Sequence, residues 1–182
     1  MRKKTDPLIR LAAISPALRL EMRLDSPMVF LMSDLVRVEP IALMPTQAGC
    51  AVFLGDGTKV IVFYIDPAIG AAINATLAGQ SPLRPMTHDL FIQALHAFGA
   101  KVQRMAIIAM DEEVYYARLI LEASNELMER KIIELDARPS DCLALAVRDG
   151  APMFVVRPLW ERLEDMSQTL EDLRNSGGPP EI

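Results

Sequence analysis

From Asp34 onward Val36, Val38, Pro40, Ala42 and Met44 alternate with Arg37, Glu39, Ile41 and Leu43. A period of two is that of a strand, polar on one face early and buried on both faces later. The run Cys50 to Leu54, the turn signal Gly55-Asp56-Gly57 and the run Lys59 to Ile65 predict a hairpin. Three strands therefore come first. The period changes after Pro67, where Ala71, Ala72, Ala75 and Leu77 lead to Gly79, a helix opened by proline and closed by glycine. Leu90, Phe91, Ala94, Leu95 and Phe98 then fall at helical spacing as an apolar stripe ending at Gly99.

The second half follows the same order. Strands are predicted over Lys101 to Met110, Val114 to Glu122 and Lys131 to Asp136, with Asp111-Glu112-Glu113 as a turn. A helix follows from Ser140 to about Arg148, then a short strand over Pro152 to Val156. Pro158 can start a last helix containing Leu159, Trp160, Leu163, Met166 and Leu170. The pattern predicts an α+β fold, a mixed β-sheet with helices packed on it, built from a duplicated β-β-β-α-α repeat. One unit alone would leave its apolar sheet face uncovered. Residues 1–28 read as a partly ordered N-terminal extension, 29–160 as the main domain, 161–176 as a C-terminal helix and 177–182 as a disordered tail.

The motif Arg138-Pro139-Ser140-Asp141 opens the second-half helix, and Arg84-Pro85-Met86-Thr87-His88-Asp89 echoes it earlier. In both, proline bars helix before it, a hydroxyl residue is placed to cap the next helix, and an aspartate enters its first turn. Composition narrows the partners. With 24 acidic against 19 basic residues the net charge is -5, which excludes the broad basic surface that holds duplex nucleic acid by counterion release. Cys50 and Cys142 lack paired spacing and read as small apolar residues of a reducing compartment. Arg2, Lys3, Lys4 and Arg10 resemble the start of a secretory signal, but Arg10 and Pro16 interrupt the apolar stretch, so a cytoplasmic, soluble protein with no membrane span is expected.

The two Arg-Pro motifs, with Asp136-Ala137 before the second, Leu143-Ala144-Leu145-Ala146 after it, and Ala72-Ile73 through Leu77-Ala78-Gly79 ahead of the first, resemble the bifunctional nuclease domain over roughly residues 30 to 160. The resemblance implies a mixed α and β fold with a duplicated repeat, and nuclease activity on both RNA and DNA as attributed to some plant members. The chain departs from the family pattern at one place. Where the family usually ends its third strand with Ile-Gly and carries a glutamate three residues later, this sequence has Asp66 and Ile69.

Phosphodiester hydrolysis needs an activated water and charge stabilisation on the phosphate. Asp89, Asp141 and His88 are the candidate catalytic residues, with His88 as base. Asp89, Asp136 and Asp141 are candidate ligands for magnesium or manganese. Arg84 and Arg138, with Thr87 and Ser140, are candidate phosphate-binding residues. Each has a plainer reading: Thr87 and Ser140 as N-caps worth about 0.5 to 2 kcal/mol, the aspartates as partners of the helix dipole or of the arginines. His96 lies eight residues after His88, about 12 Å along a helix axis, so the two cannot chelate one ion. Tyr115-Tyr116 offers one stacking ring for an unpaired base. The expected partners are nucleic acid, single-stranded in preference to duplex, and further copies of the chain in a homo-oligomer. The alternative function is a non-catalytic anion-binding or protein-interaction module of the same fold.

Overall fold

The computed structural model describes residues 34–47, 49–80, 82–112, 114–124 and 129–177. The expected extension over 1–28 lies outside them, as does the expected tail beyond Gly177. The strands are β1 (Leu35–Thr46), β2 (Gly49–Gly55), β3 (Val60–Ile65), β4 (Ala100–Asp111), β5 (Val114–Ser124), β6 (Arg130–Ala137) and β7 (Met153–Val156). The helices are α1 (Pro67–Leu77), α2 (Thr87–Ala97), α3 (Pro139–Asp149), α4 (Arg157–Arg162) and α5 (Ser167–Asn175). The strands form one mixed sheet in the order β3-β2-β1-β7-β4-β5-β6. All neighbours are antiparallel except β7 and β4, which run parallel. This is the α+β architecture read from the sequence. The first half runs as three strands and two helices, but the second runs as three strands, α3, β7, α4 and α5, so the expected β-β-β-α-α repeat is matched only in its three strands and first helix, and β7 enters the middle of the sheet.

β1 works in two parts. Its start, Leu35 to Val38, pairs with β7, and its remainder pairs with β2, with a register shift between Pro40 and Ala42. Pro40 has no N–H to give to a ladder, and such an irregularity bends a strand and raises its twist. β4 carries two more shifts, at Val102/Arg104 and Ile107/Ala109. The bending curls the sheet. Phe63 on β3 and Tyr115 on β5 have ring centroids 5.8 Å apart although four strands separate them in the sheet order.

α3 lies in the hollow of this curl, packed on α1, α2, β4 and β5. Cys142, Leu143, Ala144, Leu145 and Ala146 are all buried. Five successive buried positions take in every side of a helix, so the middle of α3 lies in the core, and alternating small and large side chains let it sit close to the strands. Pro139 stands at its first position, and Gly150 closes it at φ 65°, a left-handed conformation that favours glycine. The opposite face of β1 to β3 carries a smaller cluster, Ala42, Ala51, Phe53 and Val60, covered by Leu170 of α5.

Two elements differ from the sequence reading. The last helix is broken into α4 and α5, because the segment between them is held by the strand edge: Met166 N–H donates to Val60 O at 2.7 Å, and Asp165 accepts from Val60 N at 3.3 Å and from Ser167 N at 3.0 Å. The Lys59 ammonium donates to the Trp160 and Leu163 carbonyls and lies 5.6 Å from the Trp160 ring centroid, closing the end of α4. The second difference is α2. Of its residues only Ile92 is buried, while Leu90, Phe91 and Phe98 are exposed. Its apolar stripe faces largely outward.

α1 approaches β2 closely at Gly70, where an added Cβ would stand 2.6 Å from the Cys50 Cβ and 2.5 Å from its Sγ. Overpacking of this kind costs about 1 to 3 kcal/mol, with so short a contact at the upper end, and exceeds the roughly 1 kcal/mol that alanine gains over glycine in a helix. Gly70→Ala is therefore expected to lower stability by about 2 kcal/mol in urea unfolding, and an unchanged or raised midpoint would contradict this packing.

Candidate functional site

The two motif helices begin at different points relative to their prolines. Arg138 is extended at φ -66° and ψ 145°, as a residue before proline must be, so α3 starts at Pro139 and leaves Ser140 at the second helical position and Asp141 at the third. Met86, extended at φ -78° and ψ 173°, precedes α2, and the Asp89 carboxylate accepts its N–H at 2.8 Å. That is the acidic half of a capping box, and it needs no hydroxyl at the cap. Thr87 and Ser140 are thus not the caps they were expected to be; both lie inside their helices. Asp89 and Asp141 do occupy equivalent third positions. The arginines do not, since Asp141 follows Arg138 by three residues and Asp89 follows Arg84 by five.

Asp141 is the meeting point. Arg138 donates to it twice, Nε to Oδ2 at 2.7 Å and Nη2 to Oδ1 at 3.2 Å. From the neighbouring helix α2, His88 Nε2 faces Asp141 Oδ1 at 3.6 Å, with the imidazole 17% and the carboxylate 30% exposed. Beside His88, Asp89 accepts from Arg148 Nε, which comes from the far end of α3. Arg148 is buried and its Nη1 also reaches Ala72 O on α1 at 3.4 Å. The Arg148 hydrogen bond, with help from the Met86 N–H, holds the Asp89 carboxyl below the ordinary carboxylate range. Asp141 likewise raises the Arg138 guanidinium further above neutrality.

The structure therefore unites His88, Asp89, Asp141 and Arg138 across α2 and α3. The other candidates stand apart. Asp136 on β6 is paired with Arg118 on β5, which also meets Glu134 at 3.1 Å. Arg84 is exposed on the loop before α2 and takes no ion pair or hydrogen bond among the described residues. Each carboxylate expected as a metal ligand is turned to an arginine, and among the described residues no three His, Cys, Asp or Glu side chains are grouped to hold a metal ion. Cys142, next to Asp141, is fully buried, and burial pushes its thiol up to about 12, so it supplies no thiolate nucleophile.

The open space beside this group is a cleft of about 500 Å³, where the curl brings the end of β3 and the start of α1 against the starts of β5 and α3. Tyr64, Asp66, Tyr115, Arg138 and Ser140 are on its walls. Asp66 caps α1 by accepting from Ala68 N at 2.8 Å, and Ile69 packs partly buried against the core. Sequence reasoning missed Arg148, whose signal was its position seven residues after Asp141, two helical turns along the same face and within an apolar run. It also missed the pair His96 to Asp149, at 2.6 Å, which ties α2 to α3 at their other ends.

The Asp89 pair has a pH signature. A carboxyl depressed in the folded state contributes stability that is fully present above its unfolded value, near 4, and is lost as pH falls through the lower folded value. Urea midpoints measured from pH 7 to pH 2.5 are expected to fall less steeply below about pH 4 in Asp89→Asn than in the wild type. Parallel curves would remove this pair from the acid transition.

No described helix is long and apolar enough to cross a membrane. The chain is 33% identical over 100 residues to two uncharacterized proteins of Mycobacterium tuberculosis, one from strain CDC 1551 / Oshkosh and one from strain ATCC 25618 / H37Rv. The alignment covers 55% of this chain and 56% of each relative, so the chain spans little more than half the length of these curated relatives. A family model, the bifunctional nuclease domain, matches residues 52–166, from the buried middle of β2 through β7 and α4 to the segment that docks on β3. That match takes in both Arg-Pro motifs, the central helix and every residue gathered at Asp141: the chain belongs to the bifunctional nuclease domain family.

Proposed function

We propose that this chain is a cytoplasmic nuclease that hydrolyses phosphodiester bonds of RNA and DNA at the junction of α2 and α3. The observation that carries the reading is His88 facing Asp141 while Arg138, bound to the same carboxylate, stands on the wall of an open cleft. The separation of 3.6 Å is longer than a hydrogen bond, as is common before substrate tightens a catalytic pair. In this arrangement Asp141 orients the imidazole, whose Nδ1 takes a proton from the attacking water. The new oxygen–phosphorus bond forms as the bond to the leaving oxygen, on the opposite side of phosphorus, breaks; solvent water protonates that oxygen and the imidazolium gives its proton back to solvent. Arg138 stabilises charge on the phosphate. Arg148, buried and bound to Asp89, positions α2 and does not meet substrate.

A second reading draws on the same pairs. Every candidate carboxylate is already neutralised by an arginine, and α2 presents Leu90, Phe91 and Phe98 to solvent, which suits a non-catalytic module that binds anions or proteins. Self-association, expected from the sequence, would use such a face.

Purified wild type and His88→Ala, prepared identically, separate the two readings on labelled single-stranded RNA and DNA with magnesium, manganese or EDTA. The nuclease reading expects cleavage by the wild type and a fall of about 10²- to 10⁴-fold in His88→Ala with an unchanged melting temperature. Loss of all cleavage in EDTA would make a divalent metal part of the reaction. Equal cleavage by both preparations, or none by either, would leave the binding module.

A further inference from the structure

We infer that the outward face of α2 is the contact between two copies of this chain, packed antiparallel about a twofold axis that passes beside Ala94. The inference goes beyond the proposed reaction and holds whether or not His88 cleaves.

α2 owes little of its attachment to apolar burial. Only Ile92 of its residues is buried, and the helix is fastened near its two ends by charge, Asp89 to Arg148 and His96 to Asp149. At about 100° per residue, Leu90, Phe91, Ala94, Ala97 and Phe98 fall within one sector of about 120°, centred on Ala94 and nearly opposite Ile92. All five are exposed, Leu90 by 61% and Phe98 by 86%. Thr87 is the sector's one polar member, and it carries no charge. The titratable residues of the helix, His88, Asp89 and His96, all turn to partners on α3. A helix pinned by ion pairs on its inner side and apolar on its outer side presents a rigid hydrophobic surface to another molecule.

The stripe is complementary to itself. Leu90 and Phe98 lie four residues to either side of Ala94, about 6 Å along the axis. Rotation about a twofold beside Ala94 therefore sets Leu90 against the partner's Phe98, and Phe91 against the partner's Ala97. Small side chains at the centre let the helix axes approach to roughly 8 Å, while the large ones close both ends. One patch meeting its own copy is the isologous contact of a C2 dimer.

The area also fits. With whole aromatic side chains at about 150 to 250 Å², Leu90, Phe91, Phe98 and the two alanines leave on the order of 400 Å² of apolar surface in water. A standard complex covers about 800 Å² on each partner, of which roughly 60% is apolar. The stripe supplies most of that share, so a dimer of micromolar strength is expected.

The test is sedimentation velocity of the full chain from micromolar to sub-millimolar concentration, with disulfide trapping under a mild oxidant. The wild type should dimerise. Ala94→Glu sets two like charges against each other on the axis and should weaken the dimer Kd by about 100-fold or more. Its circular dichroism should be unchanged, because the position is exposed and glutamate is a good helix former. Ala94→Cys should trap a covalent dimer, since residues on the axis bring their Cα atoms within the roughly 4.4 to 6.8 Å that a disulfide spans. Gln93→Cys, about 100° round the helix, should not. The two native cysteines are buried and do not compete. A wild type that stays monomeric would overturn the inference and give the stripe to a different partner. A dimer that persists in Ala94→Glu, no trapping in Ala94→Cys, or equal trapping in Gln93→Cys would overturn it as well.

Discussion

A guanidinium cannot be left bare in a protein interior, and Arg148 is placed where burial forces the question. Its answer is to draw in Asp89 from α2 and the Ala72 carbonyl from α1, so that three helices from both halves of the chain converge on one side chain. One residue later, Asp149 accepts from the Val102 amide at 2.6 Å and faces His96. The last turn of α3 thereby fixes α2 at both of its ends and anchors itself to β4. Apolar burial along α3 supplies the bulk of the stabilisation, but it is non-directional. The ion pairs set the angle and register at which α2 crosses, and with them the distance from His88 to Asp141.

The site owes its composition to the curl of the sheet. In a flat sheet of this order β3 and β5 would lie far apart, since neighbouring strands are spaced by about 4.8 Å. The bends in β1 and β4 bring the β3 edge round α3 toward β5 until Phe63 touches Tyr115. Asp66 from the first half and Arg138 from the second then share one cleft, and each half supplies part of what neither holds alone.

Strands and helices were legible in the sequence wherever one period ran for five residues or more between strong turn signals, which is why both hairpins, α1 and α3 appear where the pattern put them. The first-turn places of Asp89 and Asp141 were legible for the same local reason. The partners were not. Asp89 might as well have met Arg84 from the sequence alone; that it meets Arg148 depends on how α2 crosses α3, a tertiary fact with no local signal. The caps were misread because two devices compete with a hydroxyl at a helix start, a proline at the first position and an acid at the third, and here one won in each helix. The stripe of α2 was visible as a stripe, but periodicity reports only that a face is apolar, not that anything in the same chain covers it. Likewise the break between α4 and α5 comes from hydrogen bonds to Val60, a residue some hundred positions earlier.

The pairing of Leu35 to Val38 with Met153 to Val156 sets an order of events during synthesis. The central strand of the sheet joins β1 to β4, yet among the described residues it is the last strand to leave the ribosome. Until it does, the first half holds an open edge on β1 and the second half another on β4, both apolar and both able to pair with a wrong neighbour. Closing the β1 edge requires contacts more than a hundred residues apart, which places the fold among those that assemble slowly and late. A chain truncated before Pro152 would keep six of its seven strands and nearly all of its site residues, and still lack the strip that makes two sheets into one.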